Sequence, residues 1–306
     1  MNMHEETMKD IILQESNETR FSRKHIDAKI RASIEASAFM QDKVAQGIEL
    51  VKVYIAGEYY PSKMRRIAQM QDMDIPVIVM DIFVGMAYYQ RPELFTSASS
   101  QMAARLKFSD RSEAIATAAE LMAVLCRTDA FDISKESKMA SLMVQSCIPL
   151  EDSLITFIEH SQFLPPMVCE PLPLTHNFSS GYLTHNDSLL LGSGNHHDGD
   201  LCLDVLNTMG KVALKLDVEF LSTLEETPTF ELDTQDKVDG WKAFKTQSYA
   251  MYTLMADQGN HMYLNHKVDK RGRIYASGYH INTQGTAFKK AMLEFADAEL
   301  VEGVPC

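Results

Sequence analysis

Residues 262–276 read Met262-Tyr263-Leu264-Asn265-His266-Lys267-Val268-Asp269-Lys270-Arg271-Gly272-Arg273-Ile274-Tyr275-Ala276. Ile274-Tyr275-Ala276 has the branched and aromatic character of a strand start. Gly272, between two arginines, lets the backbone approach a phosphate closely because no Cβ intervenes. Arginine suits that ligand, since its planar fork makes paired hydrogen bonds to phosphate oxygens. At the entrance of a strand, Arg271 and Arg273 would alternate faces, so that one of them reaches the ligand. Between residues 261 and 290 the positive side chains are Lys267, Lys270, Arg271, Arg273, Lys289 and Lys290, against Asp269 alone. That window carries +5 in a chain of net charge −13, which leaves −18 for the rest. Such a concentration marks the footprint of an anion. A solvated basic surface is the plain alternative, and charge alone does not separate the two.

Outward from this segment the pattern becomes helical. Residues 288–298 read as a closing helix. Upstream, Trp241, Phe244, Ser248, Met251 and Met255 step by three or four, as do Leu203, Leu206, Met209, Ala213, Leu216 and Phe220. Between them and the first 160 residues lies a change of texture. Pro165, Pro166, Pro171 and Pro173 fix extended or turn backbone, and Gly181, Gly192, Gly194 and Gly199 follow, so 165–199 reads as loop with room for a short hairpin. The first 160 residues read as mostly helical. Asp110 and Glu113 have capping-box spacing ahead of Ile115, Ala118, Leu121, Met122 and Leu125, and Leu154, Phe157 and Ile158 repeat the helical step. Residues 75–83 fit a buried helix or a strand equally well.

The chain has 306 residues, with 45% apolar and 23% charged side chains, an ordinary globular composition with a length prior of two domains. Its acidic balance argues against a protein that coats nucleic acid through a global positive field. Five cysteines without a CxxC pair read as reduced thiols. Residues 1–20 are too polar for a signal peptide, and the apolar stretch 75–89 contains Asp81 and is too short to span a bilayer. The expectation is a soluble intracellular protein with no membrane partner.

Other chemistry is weakly signalled. Asn195-His196-His197-Asp198-Gly199-Asp200 contains metal-ligating types. Adjacent loop residues rarely converge on one ion, however, and helical HExxH spacing is missing. A polar loop is the better reading, with a metal hydrolase on His196, His197 and Asp198 as the weakest alternative. No GxSxG motif or recognisable cysteine context supports acyl transfer. Trp241 reads as a core or interface anchor, the 19 methionines as gap-filling core, and His261, His266 and His280 as ordinary packing.

The segment quoted first resembles the DxRGR(V/I)Y segment that opens the palm of phage and mitochondrial single-subunit RNA polymerases. The resemblance continues through Asn282, Gln284-Gly285 and Lys290-Ala291-Met292-Leu293-Glu294-Phe295-Ala296, similar to the family's N-x-x-G and A-L-L-E-F-A elements. Met167-Val168-Cys169-Glu170-Pro171-Leu172-Pro173-Leu174-Thr175 is similar to its M-V-x-P-P-x-P-W-T block, followed in family order by Gly181-Tyr182 and the helix beginning Leu203-Asp204-Val205-Leu206-Asn207. Glu170 and Leu174 depart from the family's proline and tryptophan, which argues against stacking or phosphate contact there. The resemblance covers roughly 165–300.

The resemblance implies a mainly α fold with a small α+β C-terminal part. Its parts would be a helical N-terminal domain (1–164), a proline- and glycine-rich loop with helical linker and shortened thumb (165–260), and the start of a palm completed by a partner chain (261–306). It implies that Arg273 contacts template or RNA–DNA hybrid, that Asp269 and Gly272 shape the strand, and that Arg271, Tyr275, Lys289 and Lys290 are lesser contacts. Pro171, Pro173 and Thr175 would form a template-positioning loop. The family's metal-binding aspartates lie downstream of the matched segment, beyond Cys306, so catalytic and metal-binding residues are expected to be absent from this chain. It is accordingly expected to be the small subunit of a split, two-chain phage polymerase acting in the cytoplasm of a bacterial host. A larger subunit with fingers and the rest of the palm would hold Mg2+. DNA template, RNA transcript and a recruiting factor would be the other partners. A non-enzymatic helical DNA-binding regulator is the alternative.

Overall fold

The computed structural model describes residues 3–135, 141–192, 197, 199–225 and 227–297, with the side chains of 3–6 outside the description. It is mainly α with small antiparallel sheets. Two compact units are present, one of Arg23–Ile158 and one joining Met1–Ser22 to Glu159–Cys306. The two units divide the segment 1–164, with helix α1 (Met3–Arg20) grouping with Glu159–Cys306, and hold 165–260 and 261–306 within one unit.

In the Arg23–Ile158 unit, α2 (Arg23–Ala36), α3 (Ala38–Ala56), α4 (Pro61–Ala68) and α5 (Ile75–Met86) are followed by strand β1 (Glu93–Leu94), α6 (Phe95–Ala103) and α7 (Arg111–Leu125). Strands β2 (Phe131–Lys135) and β3 (Leu142–Ser146) complete an antiparallel sheet of order β1-β3-β2, and α8 (Asp152–His160) follows. Residues 75–83 are helical despite their branched side chains. Asp74 caps Val77 N–H, Pro76 occupies the first turn, and burial of Ile78, Val79, Ile82 and Phe83 overrides strand propensity. Asp110 caps α7 by accepting from Glu113 N–H at 2.8 Å, yet the Glu113 side chain does not close the box. It accepts from Arg65 and Gln69 instead. The core centres on Phe83 and Phe131, whose rings meet edge to face at 6.4 Å.

In the other unit, α9 (Leu203–Gly210), β4 (Leu214–Leu216) and α10 (Val218–Thr223) replace the single helix expected over 203–220. Leu214 and Leu216 are both buried, and the strand pairs antiparallel with Leu293–Phe295. Asp217 then caps α10 through Phe220 N–H, so helical spacing ran straight through a strand. The long α11 (Gln235–Asp257), capped by Thr234, leads to β5 (His266–Val268), β6 (Ile274–Ala276), α12 (Ala287–Ala291) and β7 (Leu293–Phe295). The closing helix expected over 288–298 is therefore one short turn followed by a strand. Among the described residues, 161–202 hold no helix or paired strands, so the short hairpin allowed for there does not form. Met262, Leu264, Ala276, Ile281 and Met292 share one core with Leu214, Leu216, Met251 and Met255, so the segment after residue 261 has apolar partners within this chain.

Candidate nucleic-acid interface

Strands β5 and β6 form a hairpin in register His266↔Ala276, Lys267↔Tyr275 and Val268↔Ile274. Alternation buries His266, Val268 and Ala276 and leaves Lys267 and Tyr275 partly exposed on the other face. The connecting turn is built on Asp269. Its N–H donates to Arg273 O at 2.9 Å, and its carbonyl accepts from Gly272 N–H at 2.9 Å. Gly272 sits at φ +80°, with no neighbour within 4 Å of a would-be Cβ, so glycine is required by conformation and not by space.

The Asp269 carboxylate organises the arginines. Oδ1 accepts from the N–H of Arg271 at 2.9 Å and of Arg273 at 3.0 Å. Oδ2 accepts from Arg273 Nε at 2.7 Å and Nη2 at 2.6 Å, with the Tyr275 hydroxyl at 3.4 Å. Arg271 Nε approaches the same oxygen at 3.6 Å. Partial burial pushes the Asp269 pKa up, but the Arg273 backbone and guanidinium outweigh it and hold the carboxyl below its ordinary range. Arg271 lies in the turn and not in a strand, so both arginines converge on Asp269 and the expected alternation does not apply. Their side chains remain 67% and 54% exposed, leaving guanidinium N–H groups open to a ligand.

The Asn282-to-Gln284 segment explains itself in this geometry. Gln284 accepts from Ala276 N–H at 2.9 Å and donates to Ile274 O at 3.0 Å. Asn282 donates to Ala276 O and Gly278 O. These amides saturate the outer edge of β6 as a third strand would. Lys290 is exposed on α12, whereas Lys289 donates to Tyr279 O at 2.6 Å. The structure brings Asp269, Arg271, Gly272, Arg273 and Tyr275 together; the two lysines belong to a different element.

The proline-containing block lies beside this hairpin. Met167 and Tyr263 form an antiparallel bridge, with N–H···O distances of 2.9 and 2.7 Å, which ties together blocks about 95 residues apart. Asn207 of α9 grips Leu174 through both N–H and C=O, at 2.8 and 2.9 Å. Leu174 is a core residue packed with Leu189, Leu201, Leu206 and Val268, so no aromatic platform stands there. Pro171 and Pro173 bound a cavity of about 20 Å³ with His266, whose Nδ1 has no partner and whose pKa is pushed down by burial. Thr175 is exposed, its N–H held by Ser179 Oγ at 3.0 Å. A Cβ at Gly181 would stand 2.0 Å from Asn265 Oδ1, so any side chain there would displace that amide.

One organiser went unread in the sequence. Glu18 on α1 is 1% exposed, and its carboxylate accepts from Leu183 N–H (2.9 Å), Thr184 N–H (2.6 Å), Thr184 Oγ1 (2.7 Å) and His185 N–H (2.9 Å). Gln14 donates to it at 2.9 Å and accepts from Val168 N–H at 2.9 Å. Burial pushes the Glu18 pKa up, but hydrogen bonds from Gln14, Thr184 and Leu183 bring it below the ordinary carboxylate range. The i, i+3, i+4 spacing of Gln14, Asn17 and Glu18 ahead of Phe21 is the one hint, and the polarity of residues 1–20 concealed it.

Among the described residues, no group of three or more histidine, cysteine or acidic side chains could hold a metal. His196 and Asp198 lie outside the described residues. Asp269 gives both oxygens to N–H and O–H donors, so it does not fit a Mg2+ ligand as it stands.

No family model matches this chain. It is similar to a curated protein, a probable DNA-directed RNA polymerase of Gelasinospora sp. (strain G114), with 26% identity over 151 residues. The match covers 45% of this chain and 17% of that relative, so the chain spans about a sixth of the relative's length.

Proposed function

We propose that this chain is the template-side subunit of a two-chain DNA-directed RNA polymerase of the phage single-subunit type. The observation that carries the proposal is the 269–273 turn, where one carboxylate presents two half-exposed arginines on a rigid hairpin. Arg273 contacts a phosphate of the template or the short RNA–DNA hybrid through the N–H groups Asp269 leaves open. Arg271 is the second contact, and Tyr275 steadies Asp269. The block 171–175 and Glu18 keep the adjoining loop in place beside template.

In this reading the larger partner holds the two Mg2+ ions, which supply the charge stabilisation of nucleotidyl transfer. The present chain contributes binding and positioning only. It acts on DNA and RNA in the cytoplasm of a bacterial host, brought to its template by a recruiting factor.

The test is primed-template extension by the co-purified two-chain complex. Arg273→Ala should reduce extension about 10- to 100-fold at limiting template, the range for losing one charge-assisted contact. Unchanged extension would remove Arg273 from the site. Binding of DNA without any extension by the complex would favour the non-enzymatic DNA-binding reading.

A further inference from the structure

Helix α1 is attached with its faces reversed. None of its described apolar side chains is buried: Met8 and Ile12 stand 59% and 60% exposed, and Ile11 and Leu13 are half-buried. The side chains it does bury are Gln14, Asn17 and Glu18, all polar and within about one turn of each other. Helix α2, by contrast, buries Ile26, Ile30 and Ile34 as an ordinary apolar stripe. Leu13 and, just past the end of α1, Phe21 pack on the core around Met251 and Met255. The rest of the attachment is hydrogen bonding.

Those bonds reach two places that the sequence separates. Gln14 Oε1 accepts from Val168 N–H, and the Glu18 carboxylate accepts from the N–H groups of Leu183, Thr184 and His185. Gln14 Nε2 donates to Glu18, so the two side chains form one network. Between the two places runs the loop 169–182, which carries Pro171, Pro173 and Thr175. Inside the loop, Leu172 N–H donates to Gly181 O at 2.8 Å. Two residues one helical turn apart thus hold both ends of one loop. Asn17 adds a further tie, exchanging amide hydrogen bonds with Gln258 at 2.8 and 3.0 Å.

We infer that α1 is a detachable clamp on the 169–182 loop, opening together with both loop ends while the core beneath stays folded. Apolar burial is the dominant force fixing an element to a core, and α1 has little of it. Its hydrogen bonds exchange for bonds to water with a small net change. Once released, a helix of this length is marginal in water, so lifting and unwinding go together. Segments held in this way open well below the cost of global unfolding. Gln14 thereby joins Glu18 as a positioning residue, acting through the loop and not on a ligand. The clamp stands on the attachment of α1 alone; it rests on the proposed function only for its consequence, the firmness with which the loop is held beside template.

The test is native-state hydrogen exchange of the complete chain, without template and with reclosing faster than exchange. After correction for intrinsic rates, the amides of α1, Val168 and residues 183–185 should exchange together. Their rate should be at least about 100-fold above that of residues 251–255 in α11. Gln14→Ala should speed exchange at 183–185, the end it does not touch, about fivefold. Glu18→Gln should speed Val168, the opposite end, about tenfold, because a charged acceptor is lost. Residues 251–255 should not respond to either variant. Exchange of α1 at the rate of 251–255 overturns the clamp, as does a variant that speeds only its own end of the loop. Acceleration of 251–255 equal to that of α1, or a variant chain that fails to fold, overturns it too, since α1 would then be integral to the core. Coupled exchange with template half-saturation of the two-chain complex unmoved by Gln14→Ala would keep the clamp and reject the placement of the loop beside template.

Discussion

Arg66 and Arg273 make the same chemical pair in opposite surroundings. In the Arg23–Ile158 unit, the Arg66 side chain is 8% exposed, with its donors aimed at Glu120 (2.6 Å) and Thr117 (2.9 Å). Lys63 joins at 2.9 Å, and the Tyr54 hydroxyl donates to the same carboxylate. In the hairpin the Arg273 side chain is 54% exposed, and Asp269 takes only one edge of it. The first arrangement turns the guanidinium, an ammonium and a hydroxyl onto one carboxylate within the unit. The second fixes a guanidinium while leaving part of it open. Charge pairing thus serves the fold in one region and presents a ligand surface in the other, and exposure tells the two apart.

The largest expected effect tests the buried side of that comparison. Glu120→Ala leaves Arg66 inside without its counter-ion and should cost about 2–3 kcal/mol, less than for a fully buried pair because Glu120 is partly exposed. Urea unfolding measures it. A loss well below 1 kcal/mol would mean that the pair is solvated and the contrast with Arg273 is false.

Glu18→Gln comes next, at about 1–3 kcal/mol, because the amide replaces an oxygen that accepts from backbone with a group that donates. Proteolysis within 172–185 should speed up. The sign of the pH dependence follows from its lowered pKa. The stabilisation is complete above the ordinary carboxylate value and is lost as pH falls below it through the lower folded value. Glu18→Gln should flatten that acid limb, and an unaltered limb would assign the acid sensitivity to other groups.

Gly272→Ala should cost about 1–2 kcal/mol, since the residue is held at φ +80°. An alanine tolerated without loss would show that the turn relaxes easily, which weakens any claim that it pre-orients Arg273. Asp269→Asn should have a smaller effect on stability and a clearer one on the loop. Hydrogen exchange at the Arg271 and Arg273 amides should quicken, because a neutral amide oxygen holds them more weakly and the NH2 replacing Oδ2 faces the Arg273 guanidinium with no acceptor.

How much of this was legible in the sequence varies with the range of the interactions. The helical repeats around Leu121 and Met251, the cap at Asp110 and the strand at Ile274–Ala276 are local, and the local pattern announced them. The run 203–220 misled because Leu216 belongs at once to the helical step Ala213, Leu216, Phe220 and to the strand alternation Leu214, Leu216, and only pairing with β7 decides between them. The expected face alternation of Arg271 and Arg273 failed for the same kind of reason, as Asp269 folds them into a turn. Glu18 was invisible because its partners lie more than 160 residues away. The junction of Met167 with Tyr263 joins segments whose individual texture says nothing about contact.

The central claim is that the 269–273 turn binds nucleic-acid phosphate, and the most direct test is the salt dependence of template binding by wild type and Arg273→Ala. Removing one phosphate contact should reduce the slope of log K against log salt by about 0.7–0.9. Glu120→Ala, where it stays folded, should leave that slope alone. A slope unchanged by Arg273→Ala would contradict the account, since it would place the arginine turn off the nucleic acid.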